Sequence, residues 1–216
     1  MSTSHTVKQG EYLSMIALDY GFADYWKLWS HPENKMLREK RQNPNVLFPG
    51  DIVFIPENEG KVFARPTDQR HRFVLTSKKL MLRLVVEDAY EKPVASAMCE
   101  LLVEGSVFPL TTDGQGRIEH EIPADAQKAQ LIIRSPKTPL EDKAIPILIG
   151  DLDPVDEVSG QKARLNNLGY FPEPFDDMNE GLFLSAVEEF QCDHGLVIDG
   201  KCGRLTQTKL KQIHGC

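Results

Sequence analysis

Between Ala186 and Leu210 the chain reads AVEEFQCDHGLVIDGKCGRLTQTKL, and this stretch admits few folds. Phe183, Ala186, Val187 and Phe190 recur at i, i+3, i+4 and i+7, which puts them on one face of a helix. Asp193, Gly195, Asp199, Gly200 and Gly203 then interrupt any regular element. The pattern predicts a helix, a tight glycine-bound loop and a second helix, with Thr206 in the first turn of the last helix and Leu210 and Ile213 on its buried stripe. Upstream, Val158, Leu165 and Leu168 fall on one face of a further helix that Gly169 ends.

A chain of 216 residues has room for up to three small domains, and 41% hydrophobic with 26% charged residues is ordinary for globular protein. No apolar run is long enough to span a bilayer, so membrane insertion is not expected. The opening MSTSHTVKQGEYLS has no apolar core behind basic residues, and synthesis in the cytoplasm without a signal peptide is expected. The net charge of −7 is concentrated at the C-terminal end, where residues 151–216 carry 6 basic and 12 acidic groups. That balance offers nucleic acid nothing.

In the first block, HTVKQGEYLSMIALDYG opens with a short strand, and Leu13, Ile16, Ala17 and Tyr20 give a helical stripe ended by Gly21. A second helix holds Tyr25, Trp26, Leu28 and Trp29, and these aromatics, with Tyr20 and Phe22, are expected in the core of a very small domain. After the polar HPENKMLREKRQNPNV, the sequence LFPGDIVFIPE reads as a turn feeding a strand over Ile52–Ile55. Residues 58–72 read as a linker. From 73 to 150 the period changes to two: Leu80, Leu82, Leu84 and Val86 alternate with outward residues, and further short strands follow to make an antiparallel β-sandwich. The DGQG turn at residues 113–116 is expected to close a hairpin.

The FQ, GLVIDG and G-x-x-T signature, with LGYF before it, resembles the peptidoglycan-binding domain 1 family over about Val158 to Ile213. That resemblance implies a three-helix domain over 151–216, with Tyr170 and Phe171 beside a glycan pocket. TVKQGEYLSMIALDYG and PGDIVFIP resemble a LysM domain over residues 1–57, with strand–helix–helix–strand order. LysM modules bind N-acetylglucosamine-containing glycans, peptidoglycan among them, in a groove between two loops. By motif position these are Gly10, Glu11, Tyr12 and Leu13 on one side and Asn45, Val46, Leu47, Phe48 and Pro49 on the other. Tyr12 stands where that family usually has threonine, and a tyrosine there either stacks on a sugar or blocks the groove. The long link from His31 to Asn45 resembles LysM proteins encoded beside spike and tip genes of type VI secretion and related contractile injection systems. The strand and turn order of the middle block resembles the prealbumin-like and carboxypeptidase-regulatory-like sandwiches.

The expected architecture is thus multidomain α+β: a βααβ module, an antiparallel sandwich and a three-helix domain. These resemblances imply a noncatalytic binder of cell-wall glycan that acts at the wall after specialised export. The alternative is an adaptor that docks a secretion-system spike or effector. A wall hydrolase is the third reading, with no catalytic residue assigned, because no histidine–acid or nucleophile motif is present. No cofactor is expected. Cys192, Cys202 and Cys216 gather at the C-terminal end with His194 and His214, leaving Cys99 alone. Three states remain open for them: a disulfide joining Cys192 and Cys216, plain buried thiols, or a zinc site, for which no C-x-x-C knuckle is present.

Overall fold

A computed structural model describes residues 2–58, 64–72, 79–88, 92–134, 144–170 and 180–216. Their buried apolar side chains form three separate cores. In the first, β1 (Thr3–Thr6) pairs antiparallel with β2 (Ile52–Ile55), Thr3 opposite Ile55. The helices α1 (Leu13–Asp19), α2 (Trp26–Trp29) and α3 (Lys35–Arg41) lie between them in sequence. Leu13, Ile16, Leu28, Trp29 and Val53 fill the space they enclose.

Helix α3 falls in the stretch that reads as merely polar. Only Leu37 and Arg41 of its seven residues turn inward, so it shows no apolar stripe. It ends at Gln42 in the left-handed region, at φ 60°. Asn34, just before it, is buried: its amide nitrogen donates to Leu28 O and Phe54 O, and its oxygen accepts from Phe54 N. One side chain therefore ties the turn before α3 to β2, satisfying backbone groups that burial would otherwise strand. The expectation that the aromatic cluster is all core is corrected at Trp26 and Tyr20, which are 54% and 36% exposed, while Trp29 and Phe22 are buried.

The middle region contains β3 (Leu80–Val85), β4 (Met98–Val103), β5 (Ser106–Thr111), β6 (Arg117–Ile122), β7 (Lys128–Ile133) and β8 (Ala144–Leu148). They form two antiparallel sheets, β3-β6 and β5-β4-β7-β8, with Leu101, Ile118, Leu131 and Ile133 among the buried side chains. Strands β4 and β5 close over Glu104 and Gly105, both at positive φ, the two-residue turn whose twist suits a hairpin. The DGQG segment does not close a hairpin. It carries the chain from β5 in one sheet to β6 in the other. The Asp113 carboxylate accepts from the backbone N–H groups of Gln115 and Arg117, which fixes the turn locally and leaves its direction to the sheets. Gly116, at φ 71°, is needed there, because a Cβ would run into Val86 O.

The C-terminal region consists of α4 (Val158–Asn167), α5 (Glu180–Asp193) and α6 (Arg204–His214) around Leu165, Val187, Phe190 and Leu210. Two expected core positions are corrected: Val158 is 54% and Ile213 40% exposed. The inward side of α4 is filled largely by polar residues instead. Arg164 is buried, its Nε donating to Cys216 O and its Nη1 to Asp153 O and Gly160 O. Gln161 donates to Val155 O. Gly169 ends α4 as expected, with Tyr170 N–H reaching Leu165 O and Gly169 N–H reaching Asn166 O, the paired bonds of a Schellman ending. Among the described residues no helix is long and apolar enough to cross a membrane.

Candidate functional site

The loop between α5 and α6 is held by one side chain. Gln191, 1% exposed, points from the end of α5 into the loop. Its Oε1 accepts from Asp199 N (3.0 Å) and Gly200 N (3.1 Å), and its Nε2 faces Asp199 Oδ1 (2.9 Å), Lys201 O (3.0 Å) and Thr206 Oγ1 (3.1 Å). The Asp199 carboxyl lies below its ordinary value because the backbone N–H of Lys201 and the Gln191 amide both favour its charged form. Gly200, at φ 64°, sits in the left-handed region that favours glycine and packs against the Leu184 side chain. Fixed this way, the loop presents Val197 (79% exposed) and Ile198 (56% exposed) to solvent. Leu184 and Leu205, also exposed, flank it in sequence on α5 and α6. Exposed apolar side chains on a loop fixed by buried bonds make this loop the candidate binding surface of the domain.

Of the expected pair beside the pocket, Phe171 lies outside the described residues. Tyr170 is half-buried, edge-on to Phe190 at 5.4 Å between ring centres, with its hydroxyl 3.5 Å from His194 Nε2. His194 packs on Phe190 in turn, at 4.4 Å. Its place in this aromatic group was hidden in the sequence, where it reads as a neighbour of Cys192.

Of the three states the sequence leaves open for the cysteines, the structure has free thiols, at all four positions, with no Cys192–Cys216 bridge. Cys192 is exposed on α5, whereas the Cys216 thiol sits 3.3 Å from His214 Nδ1. Burial pushes the Cys216 thiol up and that of Cys202 up to about 11, so both resist forming the thiolate that oxidation needs. His214 also meets the Asn167 amide at 3.0 Å. Burial, with Arg164 nearby, brings its imidazole down to about 4. A neutral thiol beside a neutral imidazole is not an activated nucleophile. Among the described residues no group of three or more His, Cys, Asp or Glu is placed to hold a metal ion.

The two loops expected to bind glycan at the N-terminal end do come together. Leu13 N–H donates to Pro44 O, and Ser14 Oγ lies 3.4 Å from Asn45 Oδ1. Leu13, Val46 and Leu47 are buried core, so their side chains serve packing. Glu11 is engaged internally: burial raises its carboxyl, but bonds from His5 Nε2 (2.7 Å) and Lys8 N (2.9 Å) outweigh that and hold it below its ordinary value. Phe48 N–H donates to Asp51, and the Phe48 ring lies 5.5 Å from the Arg41 guanidinium. Gly10 and Pro49 are half-exposed. Tyr12 requires a correction. It is 1% exposed and donates its hydroxyl to Ala126 O in the middle region, so it faces protein and cannot stack on a sugar.

Residues 155–210 match the family model described as a putative peptidoglycan binding domain, about a quarter of the chain. The matched span holds the three-helix core, Gln191 and the exposed loop, and this region is similar to that family of wall-binding domains. Comparison with curated proteins and with solved structures yields no match.

Two measurements check this geometry. Replacing Gln191 with Ala removes the loop's shared partner from a dry site, and urea unfolding is expected to show a loss of about 3 kcal/mol, from several stranded polar groups. An unchanged midpoint would show that the loop holds itself. The His214 imidazole titrates near 4 folded and near 6.5 unfolded, so the unfolded chain takes up the proton first. Stability is then full above pH 6.5 and falls as pH drops toward 4, by at most about 3 kcal/mol. In a His214→Gln variant that part of the acid destabilisation is expected to disappear.

Proposed function

We propose that this protein is a noncatalytic binder of peptidoglycan that grips the cell wall through its C-terminal helical domain. The observation that carries the reading is the family match over residues 155–210, on a fold whose signature residues fix an exposed apolar loop. Glycan strands present the apolar faces of sugar rings together with short peptide stems. Val197 and Ile198 on a rigid loop suit such a surface, since little conformational freedom is lost on binding. The acidic balance of residues 151–216 argues against long-range attraction to an anionic wall, so short-range contact must supply the affinity.

In its finer form the reading gives the N-terminal βααβ module a second contact, to N-acetylglucosamine, through the loops at Gly10–Leu13 and Asn45–Pro49. Two weak sites on one chain reinforce each other, because the second binding event is intramolecular. The place of action is then the cell wall. A second reading makes the protein an adaptor for a secretion-system spike or effector. One observation favours it: the loop face of the N-terminal module meets protein at Tyr12 and not open solvent.

Cosedimentation with purified sacculi tests the wall-binding reading. Val197→Ser with Ile198→Ser is expected to weaken retention about tenfold, the worth of one or two exposed anchors, while leaving the unfolding midpoint in place. Retention equal to wild type would remove this loop from the binding surface.

A further inference from the structure

The segment that follows β8 runs across the face of the N-terminal module on which the two loops lie. At its start, Gly150 (φ 86°) sits so close to the module that a Cβ would strike the Tyr12 ring and lie 2.8 Å from Gly10 O. The next residue, Asp151, accepts from Gln9 Nε2 at 3.3 Å, and its carboxylate stands 3.4 Å from where a Gly10 side chain would begin. Further along, Asp156 Oδ2 lies 3.7 Å from Arg41 Nη1. Arg41 is fully buried, with Nε and Nη2 both bonded to Asp51, and Nη1 has no hydrogen bond of its own. Its guanidinium also lies near Phe48 of the second loop. The segment thus touches the first loop at one end and the support of the second loop at the other.

We propose that residues 150–156 are an intramolecular cover of this face, and that any glycan bound between the loops must displace them. The proposal rests on the reading of those loops as a glycan site. The chemistry of the cover suits release. Among the described residues, its contacts to the module include one long hydrogen bond from Gln9, one long ion pair between Asp156, itself 59% exposed, and Arg41, and close packing at Gly150. Exposed and long charge contacts contribute little, so the packing of Gly150 on Tyr12 is the principal latch. The cover is bonded on its other side as well, since buried Arg164 of α4 donates to Asp153 O at 2.7 Å. The cover is thus joined to both the N-terminal module and the C-terminal domain.

The test uses the full chain, chitopentaose as probe, and hydrogen exchange to report whether the cover has lifted. Gly150→Ala adds the atom for which there is no room. Asp151→Ala with Asp156→Ala removes the polar contacts without steric load and serves where the first variant compromises the fold. Both are expected to raise amide exchange in residues 9–13 and 150–156. Calorimetric affinity for chitopentaose should rise about tenfold in Gly150→Ala and less in the double variant. Equal affinity in wild type and both variants would overturn the cover. So would raised exchange with no binding in any form, because nothing glycan-binding would then lie beneath it. Neither result bears on sacculus retention through Val197 and Ile198, so failure here is distinguishable from failure of the C-terminal wall-binding reading.

Discussion

The arrangement around Gln191 is the constraint on which the C-terminal domain depends. A buried primary amide must satisfy two donors and an acceptor, and burial without partners costs several kcal/mol. Here the partners are the loop's own backbone, one carboxylate and the hydroxyl at the start of α6. Four residues of the signature therefore have a physical task. Gln191 reads the loop, Asp199 and Gly200 present N–H groups to it, and Thr206 ties the loop to the last helix. Within GLVIDG, Val197 and Ile198 take no side-chain part in these bonds and face outward. The bonded positions and the exposed apolar ones are neighbours in the loop, and under the proposed wall-binding reading that division makes one loop both rigid and adhesive.

A second theme is that polar side chains join the parts of the chain. Arg164 links α4, the segment before it and the C-terminal residue through three carbonyl oxygens. Tyr12 links the N-terminal module to Ala126 of the sandwich, and burial raises its phenol well above the ordinary value, so it stays a donor at any physiological pH. Replacing such groups by apolar ones need not cost much, but removing one partner strands the other. Their contribution is orientation: they fix where each module faces. Both lie beside the segment at residues 150–156, Tyr12 against Gly150 and Arg164 on Asp153 O.

Much of this was legible in the sequence. The stripe through Ala186, Val187 and Phe190, the glycine-bound loop, Thr206 in the first turn of α6 and the strand at Ile52–Ile55 follow from periodicity and turn chemistry, and the structure has them. Helix α3 was not legible, because a helix that buries only Leu37 and Arg41 carries no apolar period. Val158 has the right spacing but faces solvent, since Gln161 and Arg164 occupy the inward side of α4, and Ile213 at the end of α6 is 40% exposed. The DGQG turn was read correctly as a turn and wrongly as a hairpin: local chemistry sets the bend, whereas the partner of β6 is chosen by sheet packing far away in sequence. Tyr12 shows the same limit. Its motif position places it on a loop, and only the fold says that the loop is covered.

On the proposed reading, the α5–α6 loop of the C-terminal domain is the surface that meets peptidoglycan. The most direct measurement is a residue-resolved NMR titration of the intact protein with soluble muropeptides. The account predicts saturable shifts concentrated at Leu184, Gly195–Asp199 and Leu205, with the amides of the middle sandwich unmoved. Shifts confined to the sandwich, or none at saturating muropeptide, would contradict it.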